Sequence, residues 1–206
     1  MTIKKIFSFA ASIISLFILI LYFSSNSNAQ NNNSKLYSKD DGVLSITYHR
    51  FNETKYPSTN IQMDIFKSQI DIIYNNNFKF YNPAKFEKEF STPKSKKKIL
   101  LTIDDAFASF YENAWPYLKE NKIPFILFVS TDAIGKFGYM TWSQLKEIEK
   151  EEFVFLGNHS HSHEYLISYN FKDFKNDIDK SINNFNKNIG YNPKFFSYPF
   201  GEYSLE

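Results

Sequence analysis

The chain has 206 residues, 43% hydrophobic and 19% aromatic, which suits one folded domain behind an N-terminal segment and excludes a disordered polymer. Twenty-four Lys and Arg against 22 Asp and Glu leave a net charge of +2, so there is no electrostatic case for nucleic acid as a partner. With no cysteine, disulfides, thiolate metal sites and cysteine nucleophiles are excluded, and any metal must be held by His and carboxylate.

Lys4 and Lys5 precede an apolar run over 6–23, followed by polar residues up to Gln30, the order of a charged n-region, an apolar h-region and a cleavage site. Residues 1–29 are therefore expected to be a signal peptide, with Ser27-Asn28-Ala29 ahead of the cut, or a retained signal anchor, since the run approaches the roughly 18 residues of a membrane span. Either way the protein is expected to be exported, to a periplasmic, extracellular or outer-face membrane-anchored location. Residues 30–41 read as a polar linker, and 42–206 as the domain. The basic run Lys94, Lys96, Lys97, Lys98 reads as a solvated loop before a strand.

From Gly42 onward short apolar runs alternate with segments of helical period, the pattern of parallel strands joined by crossover helices. The first strand is expected over 43–48. Met63, Phe66, Ile70 and Ile73 then share a helical face, and Asn75-Asn76-Asn77 stops that helix. A second strand is expected over 78–81, a short helix over 83–90, a third strand over 99–103, and a helix over 109–121 disturbed by Pro116. The fourth strand falls at 125–130. Thr141-Trp142-Ser143-Gln144 forms a capping box for the next helix, and the fifth strand falls at 153–156. A helix over 171–188 carries Phe174, Ile178, Ile182, Phe185 and Ile189 on one face, and a sixth strand follows at 195–198. Six such strands make an α/β fold, either an open doubly wound sheet or most of a barrel. Both place their chemistry at the C-terminal ends of the strands.

Two adjacent carboxylates, Asp104 and Asp105, end the third strand. Neighbours on an extended chain point to opposite sides, so the two can serve one site only if the strand ends or twists there. After the fifth strand, His159, His161 and His163 gather three of the chain's 4 histidines. A helical turn would bring His159 and His163 together and send His161 elsewhere, whereas an extended segment would align all three. Two histidines and a carboxylate suit Zn²⁺ or another divalent first-row ion with open positions for water and substrate, the arrangement of hydrolytic rather than structural sites. His49 ends the first strand, and Pro199-Phe200-Gly201 makes a turn at the sixth whose amides can face an oxyanion.

These residues together resemble the polysaccharide deacetylase family, the NodB-homology or carbohydrate esterase family 4 proteins, and within it the poly-N-acetylglucosamine deacetylase branch. Thr102-Ile103-Asp104-Asp105 is similar to the family's Thr-x-Asp-Asp motif, His159-Ser160-x-x-His163 to its His-Ser/Thr-x-x-His motif, and Phe196 to Gly201 to its third motif. The resemblance implies a distorted (β/α) barrel and a hydrolase that removes N-acetyl or O-acetyl groups from cell-envelope or extracellular polysaccharide. It implies Asp105, His159 and His163 as ligands of a divalent ion, Zn most of all with Co or Ni as substitutes. Asp104 is implied as general base, the Phe200 amide as oxyanion donor and His49, in Tyr48-His49-Arg50, as general acid. Ser197 stands where many members carry an Arg that pairs with the catalytic Asp, and Arg50 is the substitute to be looked for. The later family motifs are not reached before Glu206, so the domain is expected to be C-terminally incomplete and to lack its last strands. The alternative function is that of a non-catalytic, membrane-tethered glycan-binding protein or a truncated, inactive relative. Tyr48, Trp142 and Tyr198 are the aromatic residues that could stack on sugar rings. The expected partners are an acetylated polysaccharide and, through an uncleaved N-terminus, the membrane; the oligomeric state is left open.

Overall fold

The computed structural model describes residues 42–89 and 98–204. The expected signal segment, the linker over 30–41 and the basic residues Lys94, Lys96 and Lys97 lie outside the described residues. Among the described residues no helix is long and apolar enough to cross a membrane.

The centre of the fold is a five-stranded parallel sheet. Strand β1 (Val43–Tyr48) pairs along its whole length with β5 (Lys98–Ile103). On the far side of β5, β4 (Lys79–Phe80) takes Lys98 and Ile99, and β6 (Phe125–Val129) takes Leu101 to Ile103. Strand β7 (Val154–Asn158) continues beyond β6 in full register. Because all pairings are parallel, every strand delivers its C-terminal end to the same edge, which is where Asp104, His159 and their neighbours stand. Strand β6, Phe-Ile-Leu-Phe-Val, is buried throughout, as expected of a strand covered on both faces. Each such side chain contributes about 1.5–3 kcal/mol by leaving water.

Helix α1 (Met63–Asn75) buries Phe66, Ile70 and Ile73, the face its spacing predicts. Asn77 closes it in the left-handed region at φ 60°, a conformation that Asn tolerates better than most residues. Phe66 sets its ring edge-on to Phe51 at 5.1 Å and to Tyr48 at 5.0 Å, so the helix locks β1 to the segment that follows it. That segment forms a two-residue parallel ladder, β2 (Arg50–Phe51) with β3 (Asn60–Ile61), which is too short to leave a sequence pattern. The helix expected over 83–90 is a 3-10 turn, Pro83–Lys85, followed by α2 (Phe86–Glu89).

The helix expected over 109–121 is a π turn, Phe110–Ala114, leading into α3 (Trp115–Glu120). The cause is Pro116, which has no amide hydrogen to give, and the chain widens before it so that Trp115 N–H donates to Phe110 C=O. Helix α4 (Trp142–Ile148) opens on the expected capping box: Gln144 N–H donates to Thr141 Oγ1 at 3.3 Å, and Thr141 N–H to Gln144 Oε1 at 2.7 Å.

Two expectations are corrected. Helix α5 (Phe171–Asn188) has the predicted span, but its buried line is Asp177, Ser181 and Phe185 rather than the apolar row through Ile178 and Ile182, which are only partly buried. The inner face carries polar groups because it meets the loop after β7, as shown below. The sixth strand is reduced to a single bridge between Asn158 and Phe196. Asn158 N–H donates to Phe195 C=O at 2.8 Å and Ser197 N–H to Asn158 C=O at 3.0 Å. The next bond of a parallel ladder would run from Ser160 N–H to Ser197 C=O. Both groups are otherwise engaged, the amide by Asn158 Oδ1 at 2.8 Å and the carbonyl by the His159 ring at 2.8 Å.

Candidate metal centre

The end of β5 is bent by two non-glycine residues in the left-handed region, Asp105 at φ 73° and Ala106 at φ 55°. Asp104 N–H still bonds Tyr48 C=O at 2.9 Å as part of the ladder, and the chain turns immediately after it. That turn lets two adjacent carboxylates serve one site: Asp104 Oδ2 lies 3.7 Å and Asp105 Oδ1 3.6 Å from His159 Nε2. Left-handed backbone costs an ordinary residue about 1–2 kcal/mol, and it persists where the surroundings impose it. Here Ala106 is buried in the hydrophobic core, and Met140 N–H bonds Ala106 C=O at 2.9 Å.

At the end of β7, His159 N–H continues the ladder to Val129 C=O at 3.0 Å. The chain then turns through Ser160 at φ 67° and His163 at φ 56°, while the Ser160 hydroxyl accepts from His163 N–H at 3.0 Å. This turn decides between the two arrangements open to the histidines. His163 Nε2 comes to 3.1 Å from Asp105 Oδ1, and ligand atoms of Asp105, His159 and His163 lie within 4.8 Å of one another. His161 faces away, with Nδ1 2.9 Å from Thr131 Oγ1 and Nε2 3.8 Å from Asp132.

The protonation of the site follows from its bonds. His159 Nδ1 faces the Ser197 carbonyl at 2.8 Å, and because a carbonyl only accepts, Nδ1 carries the proton and Nε2 offers its lone pair to the carboxylates. Burial, at 2% exposure, pushes the His159 pKa down to about 4 against the Ser197 bond and the Asp105 charge, so the ring is neutral at physiological pH. His163 is also penalised by burial, but its bond to Asp105 and the carboxylate charges outweigh that and raise it. For Asp105, burial pushes up and the His163 bond with the surrounding imidazoles pulls down, leaving it below the usual range. Asp104 goes the other way: burial, then the Asp105 charge, lift it to about 7. Its Oδ1 is buried and has no hydrogen-bond partner among the described residues.

His49, half-buried at the end of β1, joins the site electrostatically. Burial lowers its pKa, the Asp105 charge opposes that, and His163 and Arg50 reinforce it. Arg50 does not replace the Arg absent at Ser197. Its guanidinium donates to both oxygens of Glu53 at 3.0 and 3.2 Å and lies 3.4 Å over the Phe107 ring, so it is committed to the β2 segment rather than to Asp104. Phe200 sits at φ 61°, with its ring stacked on Tyr165 at 4.0 Å and edge-on to His163 at 4.8 Å. The hydrogen bonds of its turn come from Gly201 and Glu202, so the Phe200 amide is not spent within the turn. A cavity of about 350 Å³ adjoins Asp105 and His163 and extends past Phe107 and Tyr139 to Lys136 and Asp132. Of the aromatic residues expected to meet sugar, Tyr198 is exposed, whereas Tyr48 and Trp142 are partly buried against the core, Tyr48 edge-on to Phe66 and Trp142 with its ring 5.9 Å from Phe185.

Sequence reasoning missed the residues that hold the histidine loop. Asn158 Oδ1 accepts from Ser160 N–H and from Ser181 Oγ, Ser130 Oγ donates to His159 C=O at 3.0 Å, and Asp177 bonds the amides of His161 and Ser162. The available signal was Asp177 and Ser181 themselves, a polar pair four residues apart on a helix read for its apolar residues.

The donor set, two imidazole nitrogens and a carboxylate, with Asp104 Oδ2 3.7 Å from His159 Nε2, fits a divalent ion with positions left for water and substrate. Residues 91–206 match the family described as polysaccharide deacetylase. A poly-beta-1,6-N-acetyl-D-glucosamine N-deacetylase of Staphylococcus epidermidis is 26% identical over 204 residues, covering 85% of this chain and 71% of its own. The enzyme of the same name from Staphylococcus aureus is 25% identical over 197 residues, covering 81% of this chain and 67% of its own. Among solved structures, IcaB from Ammonifex degensii superposes with a TM-score of 0.74 at 25% identity, over 80% of this chain and 77% of that one. The Streptococcus pyogenes deacetylase PplD, solved with acetate, shares the fold with a TM-score of 0.70 at 22% identity, over 79% of this chain and 76% of that one.

Proposed function

The chain belongs to the polysaccharide deacetylase family, and from that premise we propose that it is an exported, metal-dependent N-deacetylase of a polymer of the poly-β-1,6-N-acetyl-D-glucosamine type. The observation that carries the reading is the convergence of ligand atoms of Asp105, His159 and His163 within 4.8 Å, with Asp104 Oδ2 3.7 Å from His159 Nε2. The polymer is suggested by the names of the relatives, and export by the charged and apolar N-terminal pattern over 1–29.

In this reading Asp105, His159 and His163 hold the ion, with Zn²⁺ as the expected metal and Co²⁺ or Ni²⁺ as substitutes. When bound, the ion supplies Lewis acidity to water and to the acetyl carbonyl. Asp104, in its ionised form, takes a proton from the water whose oxygen adds to the carbonyl carbon. Burial and the Asp105 charge lift its pKa to about 7 in the metal-free site, and the positive charge of an adjacent ion would pull it back toward the ionised form the step needs. The Phe200 N–H donates to the oxyanion. The nitrogen receives a proton from His49, which must be in its imidazolium form for this step, as the C–N bond breaks, and acetate and a free amine are left. Phe200 also packs its ring on His163, so the oxyanion donor and a metal ligand are placed by one turn.

The experiment is to incubate the purified, zinc-loaded protein with β-1,6-linked and β-1,4-linked N-acetylglucosamine oligomers and to measure acetate and free amine together. Equal amounts of both products, in excess from the β-1,6 series, are expected. A folded, zinc-loaded protein that releases neither product contradicts the enzymatic reading, and equal rates on the two series contradict the polymer assignment.

A further inference from the structure

Asp177 is a buried carboxylate that the reaction described above does not use. It is 6% exposed on the inner face of α5, and its two oxygens accept from consecutive backbone amides, His161 N–H at 2.7 Å and Ser162 N–H at 3.0 Å. These two amides lie between His159 and His163, and the residues on either side of them, Ser160 and His163, are the two left-handed residues of the loop. One turn along the same helix, Ser181 Oγ donates to Asn158 Oδ1 at 2.7 Å, and that oxygen also accepts from Ser160 N–H. Helix α5 thus grips the loop ahead of its first left-handed residue and again between the two.

We propose that Asp177 is a positioning residue for the metal ligands: by fixing the peptide units of His161 and Ser162, it holds the strained turn that sets His163 against His159 and Asp105. The inference rests on the reading of those three residues as ligands. Left-handed backbone at non-glycine positions survives only where the surroundings over-determine it, and hydrogen bonds to a carboxylate are shorter and stronger than neutral ones. No other residue type of this size offers two acceptors to two adjacent amides. In Asp177→Asn one oxygen is retained, but the other position becomes an NH₂ group that meets an N–H donor head-on. The loop would then relax toward ordinary backbone, and His163 would leave its place relative to Asp105.

The test reads zinc binding rather than turnover. In Asp177→Asn, Zn²⁺ affinity measured by competition with a chromophoric chelator is expected to fall roughly 10- to 100-fold, the usual effect of removing an outer-shell support. Asp177→Glu, which keeps both acceptors, is expected to recover part of that loss. In the wild-type protein the His161 and Ser162 amides are expected to be protected from hydrogen exchange, which needs no variant and decides the matter if Asp177→Asn does not fold. A folded Asp177→Asn protein with wild-type Zn²⁺ affinity, or unprotected amides at His161 and Ser162, overturns the proposal. Failure of the wild-type protein to bind Zn²⁺ overturns it as well. Zinc affinity that shifts as expected in a protein releasing no acetate would sink the deacetylase reading and leave the role of Asp177 standing.

Discussion

Asp104 and Asp105 are neighbours of the same chemical type, yet their surroundings push them in opposite directions, one up to about 7 and the other below its usual range. The difference lies in the partners: Asp105 receives the bond from His163, while Asp104 faces burial and the charge of Asp105 with one oxygen unpartnered. A base must be ionised to act, so acetate release is expected to rise with pH along a limb set by Asp104. Asp104→Asn is expected to lose that limb and to lower kcat by roughly 10²- to 10⁴-fold while Zn²⁺ still binds. Unchanged turnover in this variant would remove Asp104 from the mechanism. The same shift has a consequence for stability. Because the folded-state pKa of Asp104 is raised, its stabilising contribution is complete below the unfolded value near 4 and is lost as pH rises through about 7. His159 works in the opposite sense: with its pKa lowered to about 4, its contribution is present above the unfolded value and is lost as pH falls. The difference between wild type and Asp104→Asn therefore isolates Asp104. In the metal-free proteins the Tm of Asp104→Asn should gain on that of wild type as pH rises from about 4 to about 8, and parallel curves would contradict the assigned shift.

Gly157 shows how an element, rather than a residue, prepares the site. A methyl group at this position would lie 2.4 Å from Phe128 Cδ1 and 3.1 Å from Ile126 Cγ2 on the adjacent strand, so the ring covers the glycine and lies 6.3 Å from the His159 ring. Gly157→Ala is expected to cost about 1–3 kcal/mol through overpacking, read by denaturant unfolding, and an unchanged midpoint would contradict this packing. Most elements were legible because their causes are local: the spacing of Phe66, Ile70 and Ile73 for α1, the Thr141 and Gln144 box for α4, and the apolar runs for β1, β5 and β6. The histidines after β7 were legible as a cluster, but the turn that converges His159 and His163 was not. Asp105, Ala106, Ser160 and His163 are left-handed without being glycine, held so by tertiary contacts that no local pattern announces. The inner face of α5 was misjudged for the same reason, since hydropathy chose Ile178 and Ile182 while the loop after β7 required Asp177 and Ser181. The sixth strand ended early because its next carbonyl serves His159.

For the molecule as a whole, a parallel sheet gathers the ends of β1, β5 and β7 at one edge, so that residues far apart in sequence, His49, Asp104, Asp105, His159 and His163, share one electrostatic environment. The family match over residues 91–206 and the superposition on IcaB agree with that architecture. The central claim is that this shared environment hydrolyses the N-acetyl groups of a polysaccharide with the help of a divalent ion. Its most direct test is acetate release from acetylated β-1,6-glucosamine oligomers by one protein sample in three states: as purified, after chelation, and after one equivalent of Zn²⁺ is returned. Release that disappears on chelation and comes back with Zn²⁺ is the predicted result. Release that is indifferent to chelation, or absent from the folded zinc-loaded protein, would contradict it.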